Sequence, residues 1–130
     1  SAIVAEILAK LPSFNSQALA NSLWSVARLR YNPGDSFLSA VVEESQAKLP
    51  SFSPQELANI MWSLANLDHC PGARFLKAVV EEAEAKLSLF NSQNLANILW
   101  SLAKLEYNPG DRFLSVMVDL AKAKLPSFNS

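Results

Sequence analysis

The sequence predicts an all-α fold, an α-solenoid of stacked antiparallel helix hairpins, and three observations carry that expectation. The segment FNSQNLANILWSLAKL, from Phe90 to Leu105, has close copies at Phe14 to Leu29 and Phe52 to Leu67, so the motif recurs every 38 residues without an insertion. A fixed period of this length marks units that stack on their neighbours instead of closing separate globules. Each unit also contains two stretches with helical spacing of apolar residues, separated by a Pro-Gly step.

The units follow in register. Residues 1–13 read as a partial unit that opens inside a second helix, since Ser1-Ala2-Ile3-Val4 aligns with Ser39-Ala40-Val41-Val42. Three whole units then occupy 14–51, 52–89 and 90–127, and residues 128–130 repeat the start of a further one. The register therefore leads us to expect a piece of a longer array, with apolar seams at both ends that favour end-to-end association between chains. The first and third units agree at 26 of 38 positions and the first and second at 21, so the positions that vary stand out.

Each first helix is expected to start after Asn15, Ser53 or Asn91, whose side chains accept hydrogen bonds from the free N–H groups of the first turn. Ser53-Pro54-Gln55-Glu56 adds proline at the first helical position and a glutamate placed for a capping box. These helices run to about Leu29, Leu67 and Leu105. The second helices are expected to be capped by Asn32 and Asn108, with proline following, and to reach about Lys48, Lys86 and Lys124 before Leu49-Pro50-Ser51 or its counterpart ends the unit.

Helical wheels assign the two helices to layers. In the second, Phe37, Leu38, Val41 and Val42 share one side and Ser39, Glu43 and Gln46 the other, as on a surface helix. In the first, Leu19, Ala20, Leu23, Trp24, Val26, Ala27 and Leu29 cover more than half the circumference. A narrow arc of Gln17, Ala18, Asn21, Ser25 and Arg28 remains, which places this helix on the inner layer with aligned polar ladders. Ala20 and Ala27 leave room for close approach of neighbouring helices.

Composition limits the function classes. The 130 residues hold 11 Lys plus Arg against 12 Asp plus Glu, a formal charge of −1, which excludes a strongly basic binder but permits a few positive groups on one face. The lone cysteine, Cys70, cannot form an internal disulfide. No apolar run is long enough to cross a bilayer, so no membrane partner is expected, and no targeting segment is read within the chain.

The recurring Q-x-L-A-N-x-x-W-S-x-A-x-L core, the 38-residue period and the Pro-Gly step before the second helix resemble the octotricopeptide repeats. The resemblance covers essentially the whole chain. It implies a superhelical α-solenoid of the pentatricopeptide and tetratricopeptide type, and sequence-specific binding of single-stranded RNA in a chloroplast or mitochondrion, serving transcript stabilisation, processing or translation.

The candidate RNA-binding residues are the constant ladders Gln17, Gln55, Gln93; Asn21, Asn59, Asn97; and Ser25, Ser63, Ser101. Beside them the variable position holds Ala18, Glu56 and Asn94, a candidate for base discrimination, because modular readers assign about one base per repeat. Two structural alternatives stand beside these readings. The asparagines could bond neighbouring helices, and the variable residues could serve the helix cap. Arg28, Asn66 and Lys104 lie one turn further along, suited to phosphate contact in two units of three. Lys48, Lys86 and Lys124 are read as complements to the helix dipole. Trp24, Trp62 and Trp100 border the stripe and could stack on bases, although a tryptophan repeated in every unit is first read as a packing residue.

Asp68-His69-Cys70 supplies acid, imidazole and thiol together, yet the same positions are Arg30-Tyr31-Asn32 and Glu106-Tyr107-Asn108, so the trio is a variant of the inter-helix turn. No catalytic constellation, metal site or cofactor is expected. Three units contributing about 1–3 kcal/mol each give roughly millimolar to micromolar binding, so a working array is expected to be longer. The alternative from another class is a protein-interaction scaffold that holds a peptide or partner helix.

Overall fold

The computed structural model describes residues 2–123, all of whose regular structure is helical. Helix α1 (Ala2–Lys10) is the second helix of the leading partial unit. Pairs α2 (Ser16–Arg28) and α3 (Asp35–Ala47), α4 (Pro54–Asn66) and α5 (Ala73–Ala85), and α6 (Ser92–Lys104) and α7 (Asp111–Ala123) follow. One-turn 3₁₀ connectors at Leu11–Ser13, Leu49–Ser51 and Leu87–Leu89 join the units. Lys124 and the expected start of a further unit at 128–130 lie outside the described residues.

The first helices begin as their capping residues dictate. Asn15 Oδ1 accepts from the Ala18 N–H at 2.8 Å. Ser53 and Glu56 form the reciprocal capping box, with Ser53 Oγ accepting from the Glu56 N–H at 3.1 Å and Glu56 Oε1 accepting from the Ser53 N–H at 3.0 Å. Asn91 and Asn94 do the same at 2.7 and 3.3 Å.

Their C-termini share one device that wheel and propensity arguments do not reveal. Arg30, Asp68 and Glu106 adopt the left-handed conformation, with φ of 56°, 53° and 57°. The following N–H of Tyr31 then bonds back to Val26 O at 2.9 Å, as His69 does to Leu64 O and Tyr107 to Leu102 O. The left-handed residue itself donates to Ala27, Ala65 or Ala103, completing a Schellman motif in which no glycine takes part.

The second helices start later than the asparagine-capping expectation. Asn32 and Asn108 do not cap a helix; each side-chain oxygen accepts from the N–H two residues on, at Gly34 and Gly110, both at 2.8 Å. This closes a local Asx turn. The glycines occupy the N-cap position at φ of 96° and 99°, as Gly72 does at 95°, and the helices begin at the next residue. A Cβ at any of the three would meet nothing within 4 Å, so backbone angle alone demands glycine there.

Stacking is dominated by first helix on first helix, α2 against α4 and α4 against α6. Burial identifies the two faces used. Ala20, Ala27, Ala58 and Ala65 are buried, whereas Ala96 and Ala103 at the same positions of α6 are exposed. Conversely, Ser63 and Ser101 are fully buried while Ser25 of α2 is exposed. The alanine face of one helix therefore meets the serine face of the next. The second helices cover the other side with Phe37, Leu38, Val41 and Val42 and their equivalents Phe75, Leu76, Val79 and Val80, so the core runs through all units.

The repeated lysine at the end of the second helix has a use beyond the helix dipole. Lys48 Nζ donates to the carbonyls of Pro12 (3.1 Å) and Phe14 (2.6 Å), and Lys86 Nζ to those of Pro50 (3.0 Å) and Phe52. Each thus clips the end of its own unit to the connector of the preceding one. Lys10, at the same position of the partial unit, makes only an exposed ion pair with Glu6 at 3.0 Å. Replacing Lys86 by Met should lower unfolding stability by about 1–2 kcal/mol through loss of two charge-assisted bonds. Lys10→Met should change it by less than about 0.5 kcal/mol. Urea denaturation of the two variants checks this difference, and equal losses would remove the clip.

Candidate nucleic-acid interface

Each first helix has one side left over after packing. On α4 that side carries Gln55, Asn59, Trp62 and Asn66, spaced four, three and four residues apart, so they form a single stripe along the helix. The equivalent rows are Gln17, Asn21, Trp24 and Arg28 on α2, and Gln93, Asn97, Trp100 and Lys104 on α6. All three glutamines, together with Arg28, Asn66 and Lys104, are exposed.

The asparagine ladder does not bond across units: no hydrogen bond among the described residues involves the side chain of Asn21 or Asn59. Asn97 Oδ1 accepts only from its own helix, from Gln93 Nε2 at 3.3 Å. These amides are therefore presented outward, half-buried at Asn59 and Asn97.

The serine ladder is placed differently from the polar row it was expected to join. Ser63 and Ser101 are sealed in the inter-unit seam, where Ser63 Oγ donates to Asn59 O at 2.7 Å and Ser101 Oγ to Asn97 O at 2.6 Å. Ser25 makes the same bond to Asn21 O at 2.8 Å although it is exposed. Bonding to the carbonyl one turn back satisfies the hydroxyl inside an apolar contact, so a serine fits where a helix-facing wheel suggested solvent.

The variable position also faces the seam. Asn94 is only 8 % exposed, and its side chain, like that of Glu56, is turned back onto the N-cap residue. Ala18 is half-buried. The structure thus brings Gln, Asn and the last-turn residue together on one face and leaves Ala18, Glu56 and Asn94 at its edge.

The tryptophans join the exposed row instead of the core. Trp24 and Trp100 are 39 % and 45 % exposed, and Trp62 is half-buried. The Arg28 guanidinium lies 5.3 Å from the centroid of the Trp24 ring, a cation–π contact that braces both groups. In α4, Asn66 Nδ2 donates to Trp62 O at 2.8 Å and holds the row's last residue beside the indole.

Most charged side chains of both signs lie on the second helices, and the first helices carry few. Nine of the twelve acidic residues lie on the second helices: Glu6, Asp35, Glu43, Glu44, Glu81, Glu82, Glu84, Asp111 and Asp119. The first helices hold one acid, Glu56, whose carboxylate is engaged in its capping box. His69 Nδ1 lies 3.7 Å from Asp35 Oδ1 of the preceding unit, and Cys70 is exposed, so the Asp68-His69-Cys70 trio does not converge. Among the described residues no group of three or more His, Cys, Asp or Glu is placed to hold a metal ion. No described helix is long and apolar enough to cross a membrane.

A family model described as "Tbc2 translation factor, N-terminal domain" matches residues 1–130. The chain belongs to this family. Comparisons with curated proteins and with solved structures each give no match. The family description covers the repeat array itself, so the face just described is part of a translation-factor domain.

Asn94→Ala should lower stability by about 0.5–1 kcal/mol, because it removes half of a capping box. Gln93→Ala, one residue earlier on the free face, should stay within about 0.5 kcal/mol of the parent. Thermal melts of both variants test which residues belong to structure and which are left for a ligand.

Proposed function

We propose that this chain is an array of octotricopeptide-type repeats that binds single-stranded RNA along its first helices, with sequence preference, in support of translation in a chloroplast or mitochondrion. The observation that carries the reading is the repeated row of Gln, Asn, Trp and a last-turn Arg, Asn or Lys, exposed or half-buried in every unit. Amides offer both donors and acceptors to base edges, an indole offers a stacking surface, and Arg28 with the neighbouring Arg30 offers phosphate contacts. The family's description as a translation factor points the same way.

Base preference is assigned to the row itself. The capping position 18, 56 and 94 is not used for it, because Glu56 and Asn94 are turned back onto their N-cap residues. No catalytic step, metal or cofactor enters this reading.

One observation favours partner-protein binding as a second reading: an apolar hollow of about 210 Å³ in the third unit, lined by Leu99, Leu102, Tyr107, Pro109 and Leu114. Salt separates the two. Two to three phosphate contacts on a single strand give a slope of log K against log salt of about −1.5 to −2, so affinity for a uridine-rich single strand should fall about tenfold between 50 and 200 mM salt. Fluorescence anisotropy of a labelled strand measures this. Binding of a peptide but not of RNA, with affinity indifferent to salt, would replace the RNA reading by the second one.

A further inference from the structure

The interfaces between successive units have the same backbone but different charge. Arg30, Asp68 and Glu106 share one left-handed conformation, so each points its side chain from an equivalent place at the end of a first helix. A non-glycine residue there carries strain that glycine would avoid, and retained strain often accompanies use of the side chain.

At the first interface the C-terminal ends of α2 and α4 line an open cleft of about 720 Å³, with Arg28, Arg30, Asn32, Trp62 and Asn66 in its wall and no carboxylate among its lining residues. That volume lies within the range of small-molecule sites. Two guanidiniums provide forked donors for phosphate oxygens, and Arg28 is braced by Trp24 at 5.3 Å. Trp62, on the neighbouring first helix, adds an aromatic side chain to the lining, and Asn66 a side-chain amide with both donor and acceptor atoms.

The same positions at the second interface are Asn66, Asp68, Cys70, Trp100 and Lys104. Here Lys104 Nζ lies 3.3 Å from Asp68 Oδ1, an ion pair that spans the interface. The one cation is neutralised by a carboxylate standing where Arg30 stands in the first.

We propose that the cleft between the first two units is a nucleotide slot, taking one phosphate on Arg28 and Arg30 and one base against Trp62, and that the residue after each first helix decides which interfaces act this way. Arg30 opens the first interface to a phosphate, and Asp68 closes the second. The slot rests on the RNA reading only for the source of its nucleotide; the ligand chemistry, a nucleoside monophosphate unit, is common to a strand and a free nucleotide.

The test uses the whole chain, its Arg30→Glu and Asp68→Arg variants, and two probes, an eight-residue oligouridylate and UMP, followed through the indole N–H resonances by NMR. Arg30→Glu installs the residue that the third unit already carries at this conformation, and unchanged circular dichroism confirms its fold. Both probes should shift Trp62 and leave Trp100 in place. Arg30→Glu should weaken the oligonucleotide at least tenfold. Asp68→Arg should bring Trp100 into the response and steepen the salt slope by about 0.7. Equal affinity of parent and Arg30→Glu for the oligonucleotide would overturn the slot and leave RNA binding intact. Equal shifts of Trp62 and Trp100 in the parent would overturn the selective role of Asp68. Binding of UMP without oligonucleotide would keep the slot and remove the strand, and binding of neither probe at 10 mM would overturn both.

Discussion

The structure depends on the contact between the alanine face of one first helix and the serine face of the next. Ala20 and Ala27 are buried in α2, and Ser63, which enters the same seam from α4, is buried with its hydroxyl returned to its own backbone. Small side chains let two helices approach closely, and a hydroxyl that satisfies itself within its own helix adds no polar demand to the contact. Once these two faces are committed, and the second helices cover a third with Phe37, Leu38, Val41 and Val42, only one narrow strip of each first helix is left for anything else. Gln, Asn, Trp and the last-turn residue occupy it.

That division explains how a repetitive scaffold can carry a non-repetitive surface. The lysine clips of Lys48 and Lys86 tie each unit to the connector before it through the Pro12 and Pro50 carbonyls, and the caps at Asn15, Ser53 and Asn91 and the Schellman turns fix the helix ends within each unit. Side chains at 28, 66 and 104 and at 30, 68 and 106 are exposed at the rim of the inter-unit contacts and lie outside the buried alanine–serine seam, so their chemistry varies without disturbing it. Acidic residues gather on the second helices, and the charge of the first helices and their ends is set by a handful of groups, Arg28, Arg30 and Lys104 against Glu56, Asp68 and Glu106, with both arginines at the first interface. A nearly neutral chain therefore places its two neighbouring arginines at one interface.

The repeat, its hairpins and the first-helix caps were legible because they depend on periodicity and local chemistry. Asparagine before Pro-Gly looked like a cap, yet the glycine's left-handed angle delays the helix and converts Asn32 into an Asx-turn acceptor. Wheel geometry correctly separated the layers but could not say which edge of the polar arc a neighbouring unit would cover, so the serines and Asn94 were grouped with residues that remain free. It also undervalued the tryptophans, since a large aromatic at a stripe's border serves core or surface according to a neighbour that sequence alone does not locate. Arg30, which the proposed slot uses, was not among the candidate residues. The available signal was the run of Arg, Asp and Glu at a helix end where glycine is the usual choice.

The central claim is that RNA runs along the first helices and not across the second. Photo-crosslinking of the chain to a 4-thiouridine-substituted single strand, mapped by mass spectrometry, tests it most directly. Crosslinks confined to peptides of α2, α4 and α6, with Trp24 and Trp62 among the modified residues, are the predicted result. Crosslinks concentrated on α3, α5 and α7 would contradict it.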